Sequence, residues 1–362
     1  MASIDAISQT ADPLARAALA EGAVIPAHPL ALDASRRLDE RRQRGLSRYY
    51  IAAGAGGLAV GVHTTQFEIH DPRVGLLKPV WTLAAEEMDR ADASRPTPLI
   101  RVAGICGETR RAVAEATMAR DLGYEFGLVS LGQLRGQSFA RLLDHCRAVA
   151  DVIEVFGFYL QPKAGGIDLP YEFWRGFCEI ENVAAIKVAA FDRYRTLGVV
   201  RAVAESGRDD VALYTGNDDN ILLDLLTPHR FLVSDLPVTR RFVGGLLGQW
   251  AVWTSDAVVL HRQYRALAES GRPIPAELLR LAVELTDANA AIFDAAGDFR
   301  GCISGINEVL RRQGLLAGNW RLDENEGLSP GQAAEIDRVC AAYPHLIDDG
   351  FVTQHLDAWL AA

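Results

Sequence analysis

Short apolar runs alternate along this chain with longer stretches whose apolar positions recur every three or four residues. The first pattern predicts strands and the second amphipathic helices. A strand-like run at 24–30 precedes a charged helix over 36–53, with Asp33 or Ser35 as cap and Gly54 to Gly57 as its break. Strand 58–62 is followed by helix 73–92, in which Pro79 predicts a kink. Strand 99–104 precedes helix 108–122, which Gly123 ends. Strand 126–130 leads to helix 137–150, and strand 152–160 to helix 170–179. Strand 183–190 leads to helix 192–206, strand 211–215 to helix 218–226, and strand 230–234 to an apolar helical stretch from 237.

Eight strand–helix units in succession predict parallel βαβ connections. Their number and spacing predict an α/β fold of the (β/α)8 barrel type. No GxGxxG opens a helix after a strand, which argues against an open dinucleotide-binding sheet. Beyond 237 only helical patterns remain, over 237–270, 276–295, 301–313, 330–342 and 350–361. The expected organisation is an N-terminal arm or helix over 1–22, a barrel core over 23–236, and the last barrel helix with a helical C-terminal extension over 237–362.

The most apolar strand runs from Val183 to Phe191 and is interrupted only by Lys187. Burying an ammonium is costly, so such a lysine tends to lose its proton. A neutral amine is a nucleophile whose natural partner is a carbonyl carbon, giving a Schiff base. Composition sharpens the point. Lys78, Lys163 and Lys187 are the three lysines among 37 basic residues, the other 34 being arginine. A chain that uses arginine wherever a fixed charge suffices keeps lysine where deprotonation matters. The ordinary alternative is a strand lysine that snorkels to solvent.

The net charge of −10 argues against a nucleic-acid or anionic-membrane partner. Five cysteines, Cys106, Cys146, Cys178, Cys302 and Cys340, are scattered with no CxxC pair. That fits reduced thiols and a cytoplasmic setting. No run is long enough for a membrane span and no secretory leader is recognisable. His28, His63, Glu68 and His70 lack metal-ligand spacing, so neither a metal nor any other cofactor is expected.

In a barrel the chemistry sits at the C-terminal ends of the strands. His63, Thr64 and Thr65 follow strand two and can bind a carboxylate or relay a proton. Ser130, Gln133 and Arg135 follow strand four, where an arginine either holds a carboxylate bidentately or is simply solvated. Tyr159, Gln161 and Lys163 follow strand five, with Lys163 reading as a mobile surface residue beside Pro162 and Gly165-Gly166. Gly216, Asn217, Asp218 and Asp219 follow strand seven, the acids reading first as helix caps. Ser234 closes strand eight.

These residues carry a resemblance to the dihydrodipicolinate synthase/N-acetylneuraminate lyase family of class I aldolases, from about residue 24 to about 345. Ile25-Pro26-Ala27-His28-Pro29-Leu30 resembles the family's first strand. Gly61-Val62-His63-Thr64-Thr65-Gln66-Phe67-Glu68 resembles its threonine pair. Ala185-Ile186-Lys187-Val188-Ala189 resembles its Schiff-base strand, and Tyr214-Thr215-Gly216-Asn217-Asp218 its turn after strand seven. Asn307 to Leu315 and Leu328-Ser329-Pro330 resemble its C-terminal helices.

The resemblance implies a homo-oligomeric lyase or aldolase, a dimer or tetramer, that acts on pyruvate or another 2-keto acid, with or without an aldehyde partner. Lys187 would form the Schiff base, with Thr65 and Tyr159 handling protons. Thr64, His63, Gln133, Arg135, Gly216, Asn217 and Ser234 would line the substrate. Two departures stand out. Leu128 to Gln137 contain no tyrosine where the family has its proton shuttle, Gln133 falling near that place and Tyr159 standing on the neighbouring strand. Gln66-Phe67 replaces a glycine before Glu68. The rival reading is a barrel that binds a small keto acid or carboxylate without turnover, as a sensor or structural subunit.

Overall fold

The computed structural model describes residues 11–361. Eight parallel strands form the barrel: β1 (Val24–Pro26), β2 (Gly57–Val60), β3 (Ile100–Ile105), β4 (Phe126–Val129), β5 (Glu154–Leu160), β6 (Val183–Ala189), β7 (Ala212–Thr215) and β10 (Phe242–Leu247). They are hydrogen-bonded in the order β1-β10-β7-β6-β5-β4-β3-β2. A bridge between Ala27 and Ala59 closes the seam between β1 and β2, where the His28 N–H donates to the Ala59 carbonyl at 2.8 Å. A helix follows each strand: α2 (Glu40–Ala52), α3 (Leu77–Asp92), α4 (Thr109–Asp121), α5 (Phe139–Ala150), α6 (Tyr171–Phe177), α7 (Arg193–Ser206), α8 (Ile221–Leu226) and α9 (Thr254–Ser270).

One strand lies elsewhere than the sequence pattern predicts. The alternating run near 230–234 is a strand, but it pairs antiparallel in a hairpin outside the barrel. It comprises β8 (His229–Val233) and β9 (Leu236–Arg240). Ser234 is exposed at the hairpin tip with φ 48°, away from the barrel mouth, so it is no substrate contact. The eighth barrel strand is β10, in the stretch read as helix. Its Gly244-Gly245 pair hides the strand pattern. A Cβ on Gly244 would come within 2.4 Å of the Ala23 carbonyl, so only glycine lets β10 pass this close to the chain entering β1.

The barrel interior and its outer shell are separate apolar clusters. Phe156, Phe158, Ala185, Ala189 and Tyr214 face inward, whereas Val155, Tyr159, Ile186 and Val188 face the helices. Helix α1 (Pro13–Glu21), capped by Asp12, closes the bottom. Its Ala15 and Leu19 join the interior cluster, the Tyr214 hydroxyl donates to the Leu19 carbonyl at 2.8 Å, and Arg16 pairs with the buried Glu154 at the foot of β5. Within 1–22, where an arm or helix is expected, residues 13–21 form this helix; residues 1–10 lie outside the described residues.

The C-terminal region comprises α10 (Ala276–Ile292), α11 (Cys302–Arg312), α12 (Gln332–Ala342) and α13 (Asp349–Trp359). The α10–α11 segment lies across the barrel mouth. There Asn289 donates to the Asp218 carbonyl at 2.6 Å and Thr286 to the Asp219 carbonyl at 2.9 Å. Helix α13 packs against α2. Among the described residues, no helix is long and apolar enough to cross a membrane.

Candidate active site

Lys187 projects inward from β6 and is 6% exposed. Strand β5 lies beside it in register, with Phe158 opposite Lys187 and Tyr159 opposite Val188. The ammonium nitrogen sits 4.5 Å from the centre of the Phe158 ring. Burial pushes the amine down to about 8, and the nearby Asp218 and Cys302 partly offset that pull. A cavity of about 40 Å3 opens beside it, lined by Thr64, Gln161, Lys187, Gly216, Asp218 and Cys302 under the rings of Phe158, Phe191, Phe293 and Phe299.

Gly216 makes room for the lysine. A Cβ there would lie 2.6 Å from Lys187 Cε and 2.9 Å from Ala189 Cβ. The turn after β7 also delivers Asp218, which does not cap α8; Asn220 holds that position. The Asp218 Oδ1 accepts from the Gln249 N–H at 3.0 Å, and burial raises its carboxyl to about 7 against the pull of that bond and of Lys187. In both groups the environment favours the neutral form. Cys302, at the start of α11, is also buried here, and burial pushes its thiol well up, so it is protonated at neutral pH.

His63 and Thr64 lie at the rim, on a single helical turn after β2. Burial, followed by the Lys187 charge, lowers the His63 imidazole to about 4, leaving it neutral. The Thr64 hydroxyl donates to the Ala27 carbonyl at 2.7 Å and keeps its lone pairs for the cavity. Thr65 turns the other way. Its hydroxyl accepts from the Gly61 and Val62 N–H groups and donates to the His28 carbonyl at 2.6 Å. It fixes the β2 turn and does not line the cavity, contrary to the proton-handling role the resemblance implies.

Tyr159 is corrected in the same way. It faces the helices, its ring 5.6 Å from that of Trp174 and its hydroxyl accepting from Arg195 at 3.2 Å. Strand β5 is buried on both faces, so its pattern cannot say which face a residue takes. Gln133 and Arg135 are exposed on the loop after β4, where Arg135 donates to the Gly166 carbonyl at 2.8 Å. Neither lines the cavity. Asn217 is fully buried and structural: it accepts from the Phe191 N–H at 3.0 Å and donates to Asp224 at 2.9 Å. Lys163 forms an exposed ion pair with Asp298.

Gln161, which the sequence marks only by its place after strand five, lines the cavity. Its Oε1 accepts from the Lys163 N–H at 3.1 Å, which orients the amide. Its buried Nε2 has no hydrogen-bond partner among the described residues, and the residue belongs to the cavity wall. An unpaired buried donor of this kind is costly unless something occupies the cavity and accepts from it. The only hint in the sequence was its place just past a strand end. Cys302 carried no signal at all. A larger cleft of about 790 Å3 lies outside the cavity and shares His63, Ala164, Phe299 and Cys302 with it. The histidines and Glu68 do not converge on a metal-binding cluster among the described residues.

No protein-family model matches the chain, and no curated protein matches it in sequence. Solved structures do match in fold. The dihydrodipicolinate synthase of Oceanobacillus iheyensis superposes with a TM-score of 0.70 at 15% identity, covering 92% of this chain and 99% of that one. The N-acetylneuraminate lyase of Fusobacterium nucleatum, solved with pyruvate, gives 0.67 at 17% identity, covering 90% and 97%. The Clostridium difficile protein CdNal, solved with mannosamine, gives 0.66 at 17% identity, covering 89% and 99%. The chain therefore has the barrel fold of these lyases and synthases, with helices appended at its C-terminal side.

Proposed function

We infer that this protein is a Schiff-base lyase or aldolase acting on pyruvate or another 2-keto acid. The observation that carries the reading is a buried lysine with a depressed amine, facing a protonatable carboxyl in a cavity at the barrel mouth. The neutral Lys187 amine adds to the C2 carbonyl of the keto acid. One amine proton passes to the oxygen as the carbinolamine forms, the neutral Asp218 carboxyl gives the second, the oxygen leaves as water, and an iminium remains. The iminium accepts the electron pair released when a C3–H or C3–C bond breaks. Asp218, now a carboxylate, is placed to take the C3 proton. The Gln161 amide supplies two donors for the substrate carboxylate, and Gly216 keeps the lysine stem free to move.

This assignment gives Asp218 the proton work that the resemblance places on a tyrosine. It leaves Thr65 and Tyr159 as supports of the turn and the shell. An aldehyde as second substrate and a cytoplasmic setting belong to the same reading. So does a homo-oligomer, supported by the exposed Leu232, Leu236 and Val283, which self-association would cover.

Borohydride trapping tests the proposal. Incubation with pyruvate followed by reduction is expected to add a three-carbon adduct to the Lys187 peptide, read by mass spectrometry and absent in Lys187→Arg. An unmodified Lys187 across pyruvate and larger 2-keto acids would sink it. The second reading, a binding barrel without turnover, draws on the tight, phenylalanine-lined cavity and on the absence of any tyrosine from its lining. Retention of a keto acid without adduct or C3 proton exchange would establish it.

A further inference from the structure

Arg321 lies between α11 and α12, in the segment that borders the outer cleft. Its side chain is 0% exposed, yet its Nε and Nη1 have no hydrogen-bond partner among the described residues. Nη2 alone is used, donating to Asn319 Oδ1 at 3.2 Å. The nearest carboxylate is that of Glu326, 3.8 Å from Nε and 40% exposed on the cleft wall. A buried guanidinium held by one long ion pair is an expensive arrangement.

The surrounding contacts hold it there. Arg36 donates to the Arg321 carbonyl at 2.9 Å. The Leu322 N–H donates to Gln66 Oε1 at 2.8 Å, which brings the Gln66 amide beside the same segment. Gln66 is 1% exposed and its Nε2 is also unpartnered among the described residues. Its neighbours His63, Phe67 and Glu68 line the cleft. Two buried side chains, one from the β2 turn and one from the C-terminal region, thus hold unused N–H donors behind the residues that line one opening, without lining it themselves. Glu326 is a weak partner for Arg321, because burial and the charge of Glu68 both raise its carboxyl.

We propose that Arg321 and Gln66 form an anion subsite in the outer cleft, which binds a carboxylate at the far end of the substrate by displacing Glu326. The subsite rests on the keto-acid reading of the Lys187 cavity and specifies it: the preferred keto acid carries a second carboxylate. The cleft and the lysine cavity adjoin, sharing His63, Ala164, Phe299 and Cys302 as lining, and the proposal requires one molecule to reach across that shared wall.

The test compares matched pairs of 2-keto acids on the full-length protein. 2-Oxoglutarate, 2-oxoadipate and 2-oxopimelate are each set against the monocarboxylate of equal length, with affinity read by calorimetry. At least one dicarboxylate should bind about tenfold tighter than its partner. Arg321→Gln should erase that preference and leave the monocarboxylate affinity unchanged. Because a buried arginine can be needed for folding, the exposed Glu326→Gln is the second variant. It removes the competing carboxylate and should raise the preference about threefold or more. Pairs that all agree within twofold, a preference that survives Arg321→Gln, or one that Glu326→Gln leaves unaltered would overturn the subsite. Borohydride trapping of Lys187 with pyruvate is run alongside: an intact adduct with no dicarboxylate preference removes the subsite alone, whereas no adduct removes the lyase reading.

Discussion

Strands β5 and β6 are neighbours, equally long, and buried at every position, yet they contribute to the barrel in opposite ways. On β6 the one basic residue points inward and meets an open cavity. On β5 the tyrosine one register position later points outward and meets Trp174 and Arg195. Inward and outward alternate residue by residue along a strand, so a shift of one place separates a reactive group from a packing group. An amphipathic strand announces that choice in its pattern. A strand covered on both faces does not, and chemistry has to be read from residue type instead.

The contrast can be attacked from both sides. Asp218→Asn should leave Lys187 able to form an adduct but slow C3 proton exchange from pyruvate by about 10²-fold or more, measured by deuterium uptake. Equal exchange rates would mean that the acid is elsewhere. Gly216→Ala puts a methyl group against Lys187 Cε, and adduct formation should fall about tenfold at a cost of about 1–3 kcal/mol in stability. Unchanged trapping would show that the lysine has space the geometry denies it.

Lys187→Met should stabilise the fold by about 1–3 kcal/mol near neutral pH. The wild-type amine titrates near 8 when folded and near 10.5 when unfolded. Between those values the unfolded chain binds more protons, so wild-type stability rises with pH and the advantage of methionine shrinks there. A constant difference from pH 7 to 10.5 would contradict the depressed amine. The smallest effect belongs to the other strand. Tyr159→Phe loses one hydrogen bond, about 0.5–1.5 kcal/mol by denaturant titration, with trapping at Lys187 unaltered. Loss of trapping would return Tyr159 to the chemistry.

Much of the architecture was legible because period-two and period-3.6 patterns alternate so regularly. Where legibility failed, a physical reason is visible. Strand β10 is glycine-rich because it passes close to the backbone entering β1, and glycine erases the strand signature. The β8–β9 hairpin shows the alternation of a genuine strand, with nothing to mark it as lying outside the barrel. Within the site, Lys187 could be found from its rarity and its apolar surroundings, and Gly216 from its turn. Asp218 could not be told from Asp219, since which acid turns into the cavity depends on the Gln249 backbone, 31 positions away. Thr64 and Thr65 were likewise indistinguishable until the carbonyls of Ala27 and His28 chose between them.

Helix α1 stoppers the barrel at its foot, and this shapes traffic as well as stability. A vessel stoppered below opens upward. Under the lyase reading, substrate and product therefore share the mouth above Lys187, beside His63 and Phe299.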